Sequence, residues 1–241
     1  MEEQEIEKEQ NNMKKIGLIG GMSWESTLLY YELINKKVKK ELGGLHSSNC
    51  VIESVDFNEI ALLQADDDWK RLDLMMVDRA LSLQNSGAEL ILICANTMHL
   101  CVDAIQNRVD VPIVHIAEVT AGEIRKAKLE KVALLGTKFT MEKTFFRDIL
   151  RNHAIEVLIP DADARDVIHD IIYKELVRGD IKQESKAAYL EIIDTLRNQG
   201  VQGVILGCTE IPLLIGPEDV DLPLFNTTQI HAEKAVELAL Q

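Results

Sequence analysis

In the stretch GCTEIPLL, residues 207–214, a thiol, a hydroxyl and a carboxylate follow one another as Cys208, Thr209 and Glu210. A cysteine thiol ordinarily ionises at a pKa of about 8.5, and a carboxylate two residues away can take or return its proton. Such a pair suits proton transfer or nucleophilic attack. The apolar run GVILG, residues 203–207, precedes it and reads as a strand, with a helix opening just after the thiol. The partial positive charge of a helix N-terminus favours a thiolate. Cys208 is therefore expected as a reactive thiolate, with Glu210 orienting it or exchanging protons with it. The alternative is a buried structural cysteine capped by Thr209.

A second stretch repeats the pattern. In LILICANTMHL, residues 90–100, an apolar run ends at Cys94, Ala95, Asn96 and Thr97. Aligned by Gly87 and Gly200, Ala95 falls on Cys208 and Cys94 on Gly207. One copy thus carries a thiol where the other carries a methyl group. Cys94 cannot simply take over, because successive strand side chains point to opposite faces. Two further loops look similar. GGMSWEST brings glycine amides with Met22, Ser23, Ser26 and Thr27, and GTKFTMEK brings Thr137 and Thr140. Each of the four loops reads as opening a helix, whose unpaired N–H groups bind an anion without basic side chains. A small carboxylate is the expected ligand, although hydroxyls at such positions also serve as plain caps.

Parallel strands buried on both faces read as short continuous apolar runs. KIGLIG (15–20), CVIESV (50–55), ELILIC (89–94), PIVHI (112–116), KVALLG (131–136), IEVLIP (155–160), GVILG (203–207) and LPLFN (222–226) fit, and helical patterns lie between them. Strands alternating with helices predict an α/β fold with parallel sheets. Gly20 aligns with Gly136 at an offset of 116 residues, and Gly87 with Gly200 at 113. Two nearly equal offsets predict an internal duplication, hence two pseudo-symmetric parallel-sheet subdomains with a cleft between them. The expected boundaries are residues 13–116 plus 224–241 for the first and 117–223 for the second. In open α/β sheets, ligands bind beyond the carboxyl ends of strands, where all four loops lie.

Composition narrows the function classes. A net charge of −14 over 241 residues argues against nucleic acid as a partner. No run of 18 apolar residues occurs, so no membrane-spanning helix is expected. Residues 1–12, MEEQEIEKEQNN, read as a disordered acidic tail without signal-peptide order. Four cysteines without a CxxC pair predict no zinc or redox site, and reduced thiols in the cytoplasm. Cys50, Cys94 and Cys101 read as small buried hydrophobes.

IGLIGGMSWEST, CANTMH, GTKFTM and GCTEIPLL resemble, in order, the motifs of the aspartate/glutamate racemase superfamily. SVDFNEI (54–60), PDADARDVIHDIIYKEL (160–176) and FNTTQIHAEKAV (225–236) are also similar, so the likeness spans nearly all of the chain from Met13. It is nearest to the broad-specificity and the aspartate/glutamate-specific bacterial members. The resemblance implies two α/β subdomains around a central site, an amino-acid substrate, a homodimer, and catalysis with neither pyridoxal phosphate nor a metal. It also implies two thiols, one on each face of the substrate's α-carbon, since racemisation needs an acid and a base on opposite sides. By motif those positions are Ala95 and Cys208, with Met22, Ser23, Asn96, Thr97, Thr137, Thr140 and Thr209 lining the substrate. Ala95 departs from the pattern, although some relatives carry threonine there. Relatives acting on acidic amino acids carry a lysine where this chain aligns Val167. Arg165 is the nearest replacement, and without one a less acidic substrate is expected. His99 and His231 fall within family motifs, as structural residues or as a proton relay. The implied function is a cofactor-independent amino-acid racemase with impaired two-base chemistry. The alternatives are a one-thiol decarboxylase or isomerase of the same fold, or a catalytically silent amino-acid-binding protein.

Overall fold

A computed structural model describes residues 13–241 of the chain, and the tail read over residues 1–12 lies outside the described residues. In chain order the elements begin β1 (Ile16–Gly20), α1 (Trp24–Leu42), β2 (Cys50–Ser54), α2 (Phe57–Ala65), α3 (Trp69–Asn85), β3 (Leu90–Ile93), α4 (Val102–Gln106) and α5 (Ile116–Lys126). They continue β4 (Lys131–Gly136), α6 (Lys138–Glu142), α7 (Phe145–Asn152), β5 (Glu156–Leu158), α8 (Ala162–Lys174), α9 (Gln183–Arg197), β6 (Val204–Gly207), β7 (Leu224–Asn226) and α10 (Thr227–Ala239). Two separate parallel sheets result, ordered β2-β1-β3 and β5-β4-β6-β7. Their central strands are apolar because helices cover both faces: β1, β3 and β6 are buried at every position.

The strand register fixes the duplication residue by residue. Ile19 pairs with Ile93 in the first sheet, and Leu135 pairs with Leu206 in the second. Advancing two residues along β3 and β6 brings Ala95 onto Cys208, as the glycine alignment gives.

Two departures from the sequence reading concern the sheet edges. PIVHI makes only a single bridge, Ile91 to Ile113. Pro112 has no N–H to donate, and His115 turns away to cap α5, its Nδ1 accepting from Ala117 N at 3.1 Å. LPLFN supplies β7, which pairs with β6 in the second sheet. Residues 224–226 therefore belong to the second lobe, and the return to the first begins at α10 rather than at residue 224.

The helices that follow these edges are exchanged. α5 buries Ile116, Ala117, Ala121 and Ile124 against Val132, Leu134 and Ile205 of the second sheet. α10 buries Ala232, Ala235, Val236 and Ala239 against Ile16, Leu18, Leu90 and Leu92 of the first. This cross-covering holds the carboxyl ends of both sheets against one cleft. No helix among the described residues is long and apolar enough to cross a membrane.

Candidate active site

The loops after β1, β3, β4 and β6 converge on a cleft of about 770 Å³. Its lining takes Met22 and Ser23 from the first loop and Ala95, Asn96 and Thr97 from the second. It takes Thr137 and Thr140 from the third, and Cys208, Thr209 and Glu210 from the fourth. The turn out of β1 is made by Gly21, whose φ of +89° favours glycine. A Cβ there would meet Val55 O at 2.2 Å.

Only one of the four loops opens a substantial helix. Ser23 caps α1, its Oγ accepting from Ser26 N at 3.3 Å. α6 has five residues, and the loops after β3 and β6 enter 3₁₀ turns, Thr97–Cys101 and Ile211–Leu213. After β6, Gly216-Pro217 leaves no room for a longer helix. Cys208 therefore lacks the helix N-terminus expected from the sequence.

The thiol differs from expectation accordingly. Cys208 Sγ lies 2.8 Å from Glu210 Oε2 and donates to it. Burial, then the neighbouring Glu210 carboxylate, hold its pKa well above the usual thiol value, outweighing the backbone N–H groups of Glu210 and Thr209. The resting state is a protonated thiol paired with a carboxylate, not a thiolate. Thr209 Oγ1 donates to the same carboxylate oxygen at 2.7 Å. Its single proton being used, it accepts from Ser26 Oγ, 2.7 Å away in the other lobe. A directed chain thus runs from α1 through Thr209 to Glu210.

The other side of the cleft carries hydroxyls and an amide. Thr97 and Thr140 Oγ1 lie 3.3 Å apart across the lobes, and Thr140 and Thr137 are equally spaced. Asn96 Nδ2 donates to Thr227 Oγ1 at 3.1 Å, and Thr227 donates to Leu206 O at 3.0 Å. Asn96 Oδ1 is buried without a hydrogen-bond partner among the described residues. Ala95 lies half-buried on the cleft wall.

His99 and His231 do not line the cleft. His99 Nδ1 donates to Ala95 O at 2.9 Å, which leaves Nε2 with a lone pair and no partner. Burial, then His115 and His231, push its pKa well below 6.5. His231 lies between Tyr30 OH at 2.8 Å and Val114 O at 2.7 Å, and burial lowers its pKa to about 3. Both are neutral residues behind the loop after β3.

Neither residue considered for substrate choice reaches the cleft. Val167 is 41% exposed on α8, outside the cleft lining. Arg165 is held by Glu142 at 2.9 Å and by Pro160 O at 2.7 Å. Glu25, Gln64, Tyr173 and Arg178 line the cleft without having been singled out from the sequence. Gln64 and Tyr173 come from helices whose apolar spacing reads as ordinary core. Glu25 reads as a first-turn acid on α1, and Arg178 precedes a turn glycine. Tyr173 is close enough for Cys208 and Glu210 to raise its pKa, after burial. Among the described residues no group of three or more His, Cys, Asp or Glu side chains is placed to hold a metal.

A family profile described as Asp/Glu/Hydantoin racemase matches residues 19–235. A structure from Yersinia pestis, named provisionally as an Asp/Glu racemase, superposes with a TM-score of 0.91 at 49% identity, covering 95% of this chain and 100% of that one. An aspartate racemase homologue from Pyrococcus horikoshii OT3 superposes with a TM-score of 0.83 at 38% identity, covering 95% and 100%. The broad specificity amino-acid racemase RacX of Bacillus subtilis is 22% identical over 93% of this chain and 98% of its own length. With the fold, the duplicated strand-end loops and the match over residues 19–235 in agreement, the chain belongs to the Asp/Glu/hydantoin racemase family.

Proposed function

We propose that this chain is a cofactor-independent amino-acid racemase of the aspartate/glutamate type whose two catalytic faces are unequal. The observation that carries the reading is the Cys208–Glu210 contact of 2.8 Å at the end of β6, opposed by Ala95 at the equivalent place after β3. The substrate's α-carboxylate is taken by the Ser23-capped start of α1 and the hydroxyls around it. Glu210 accepts the thiol proton of Cys208, and the resulting thiolate removes the α-proton. The electron pair left on the α-carbon delocalises into the carboxylate. Return of the proton from the thiol restores the starting configuration. Inversion requires a proton from the Ala95 face, where the loop after β3 puts no titratable side chain on the cleft lining and water is the donor.

A positioned acid or base contributes about 10²–10⁴-fold, so inversion is slower than exchange by roughly that factor. The test is incubation with L- and D-amino acids in deuterated water. One enantiomer should gain α-deuterium with retained configuration long before its antipode accumulates. Equal and rapid racemisation from both enantiomers would overturn the unequal-face reading. Exchange from neither, despite binding, would overturn the enzyme reading in favour of an amino-acid-binding protein. The same single thiol favours a second reading, a decarboxylase or cis–trans isomerase, which loss of CO₂ or isomerisation of a dicarboxylate would support. The family resemblance adds a homodimer, which light scattering measures directly, and the unpaired cysteines and the absence of signal-peptide order at residues 1–12 add a cytoplasmic location.

A further inference from the structure

We infer that Ser26 is a positioning residue for the Cys208–Glu210 dyad, acting from the other lobe through Thr209, given the reading of that dyad as the acid and base of an amino-acid racemase. Ser26 lies in the first turn of α1, on the cleft lining, and is 4% exposed. Its Oγ is 2.7 Å from Thr209 Oγ1, which donates to Glu210 Oε2 at 2.7 Å. The same oxygen accepts from Cys208 Sγ at 2.8 Å. Ser26 is thus two hydrogen bonds from the carboxylate that the thiol pairs with.

The hydroxyl is not used where a helix ordinarily uses one. A serine or threonine within a helix bonds back to the carbonyl three or four residues earlier. The neighbouring Thr27 does so, donating to Ser23 O at 2.9 Å and accepting from Gly21 N at 2.8 Å. Ser26 makes no side-chain bond to a carbonyl of its own helix among the described residues and reaches the second lobe instead. A longer contact, at 3.4 Å, joins it to Ser23 Oγ, which caps α1. The substrate's α-carboxylate is taken at that capped start, so the chain of hydroxyls ties the dyad to the carboxylate end of the cleft.

A hydroxyl that accepts a hydrogen bond donates more strongly in turn. Ser26, by donating to Thr209, strengthens the bond from Thr209 to Glu210 Oε2 and draws that oxygen's lone pairs away from Cys208. Less of the carboxylate's charge then acts on the thiol. Glu210 is the titratable neighbour that, after burial, makes Cys208 harder to ionise. Tyr173 of α8 and Tyr189 of α9 also lie close, and burial raises both above the ordinary phenol value, so neither is charged at neutral pH. Glu25 and Arg178, the other charged side chains on the lining, are untouched by a change at Ser26. Removing the Ser26 hydroxyl should therefore make the thiol still harder to ionise, with its burial unaltered.

The experiment follows alkylation of Cys208 by iodoacetamide against pH, read by peptide mass spectrometry. It uses the full chain and its Ser26→Ala, Ser26→Thr, Thr209→Val and Ser26→Ala/Thr209→Val variants, each checked for folding by circular dichroism. Ser26→Ala should move the profile to higher pH by about half a unit, roughly a threefold loss of reactivity at fixed pH, and Ser26→Thr should restore it. Thr209→Val, which removes the donor itself, should move it at least as far, and adding Ser26→Ala to it should move it no further. Uptake of α-deuterium from aspartate should fall by about the same factor, in kcat rather than KM. An unmoved or lowered profile in Ser26→Ala would overturn the proposal, as would a further shift in the double variant. A higher KM with the profile in place would make Ser26 a substrate contact and overturn it too. Should Ser26→Ala fail to fold, an unmoved profile in Thr209→Val overturns it equally. If no amino acid exchanges its α-proton while the alkylation profiles move as stated, this assignment stands and the racemase reading falls.

Discussion

The two strand-end loops occupy equivalent places in the two sheets and have different chemistry. After β6 the chain presents Cys208, Thr209 and Glu210, and after β3 it presents Ala95, Asn96 and Thr97. The difference is larger than one missing thiol, because Thr97 also stands where the second loop has a carboxylate. Both loops keep their structural task. Thr209 reaches Ser26 in the opposite lobe, and Thr97 reaches Thr140, the equivalent hydroxyl in the first turn of α6. Duplicated scaffolding can therefore be retained while only one copy keeps a titratable dyad. A shared fold fixes where groups stand and leaves their chemistry to single positions.

The sharpest way to break the comparison is to remove its active member. Cys208→Ala should lower α-deuterium uptake by about 10²–10⁴-fold, read by NMR, while thermal unfolding with and without aspartate reports whether the ligand still binds. Persistent exchange would mean that the thiol is not the base. The reverse change rebuilds the other copy. Ala95→Cys should raise inversion about 10²-fold, and adding Thr97→Glu should raise it further by completing the dyad. Chiral chromatography of the product reads both, and no gain in either would show that Ala95 does not face the α-carbon.

A smaller effect tests how the dyad is tuned. Glu210 raises the Cys208 pKa, so Glu210→Gln should move the alkylation of Cys208 by iodoacetamide, followed by peptide mass spectrometry, to lower pH. A profile unmoved or shifted upward would contradict the pairing. The last contrast concerns what lies behind each loop. Burial holds His231 at about 3 and His115 at about 4, with His99 also well below the ordinary 6.5. Between pH 6.5 and about 4 the unfolded chain binds protons that the folded chain refuses. The stability these residues contribute is thus complete above 6.5 and drains away as the pH falls. Hydrogen exchange should show the first sheet losing protection in this window before the second, and equal loss in both lobes would discount the cluster.

Much of the scaffold was legible in the sequence because buried parallel strands are continuous apolar runs, and because Gly87 and Gly200 end their helices one strand before each loop. The equivalence of Ala95 and Cys208 followed from counting, and the register repeats it. The protonation of Cys208 was not legible, since it depends on burial and on a 3₁₀ turn where an α-helix was expected. Arg178 was hidden for a related reason. The sequence reading looked for a cation on α8 around Val167, whereas the cleft wall is continued by the turn beyond that helix. The edge at PIVHI failed through one residue, Pro112, whose ring removes the N–H that a longer ladder needs.

The exchanged helices also set an order on how the chain can acquire its structure. Strands β1 and β3 are made early, yet the apolar face formed by Ile16, Leu18, Leu90 and Leu92 is closed by Ala232, Ala235, Val236 and Ala239. During synthesis that side of the amino-terminal sheet must therefore wait, covered only in part by Tyr30, Ile34 and Val38 of α1, until residues 227–239 have left the ribosome. The second sheet has its own cover in α5, which is translated before its first strand. The carboxyl-terminal lobe can close first although it is made last, and the contacts that complete the amino-terminal lobe span more than 200 residues, as between Tyr30 and His231. Such long-range closure is slow and leaves apolar surface open in the interval, a vulnerability that comes from the crossing of α5 and α10 rather than from either lobe alone.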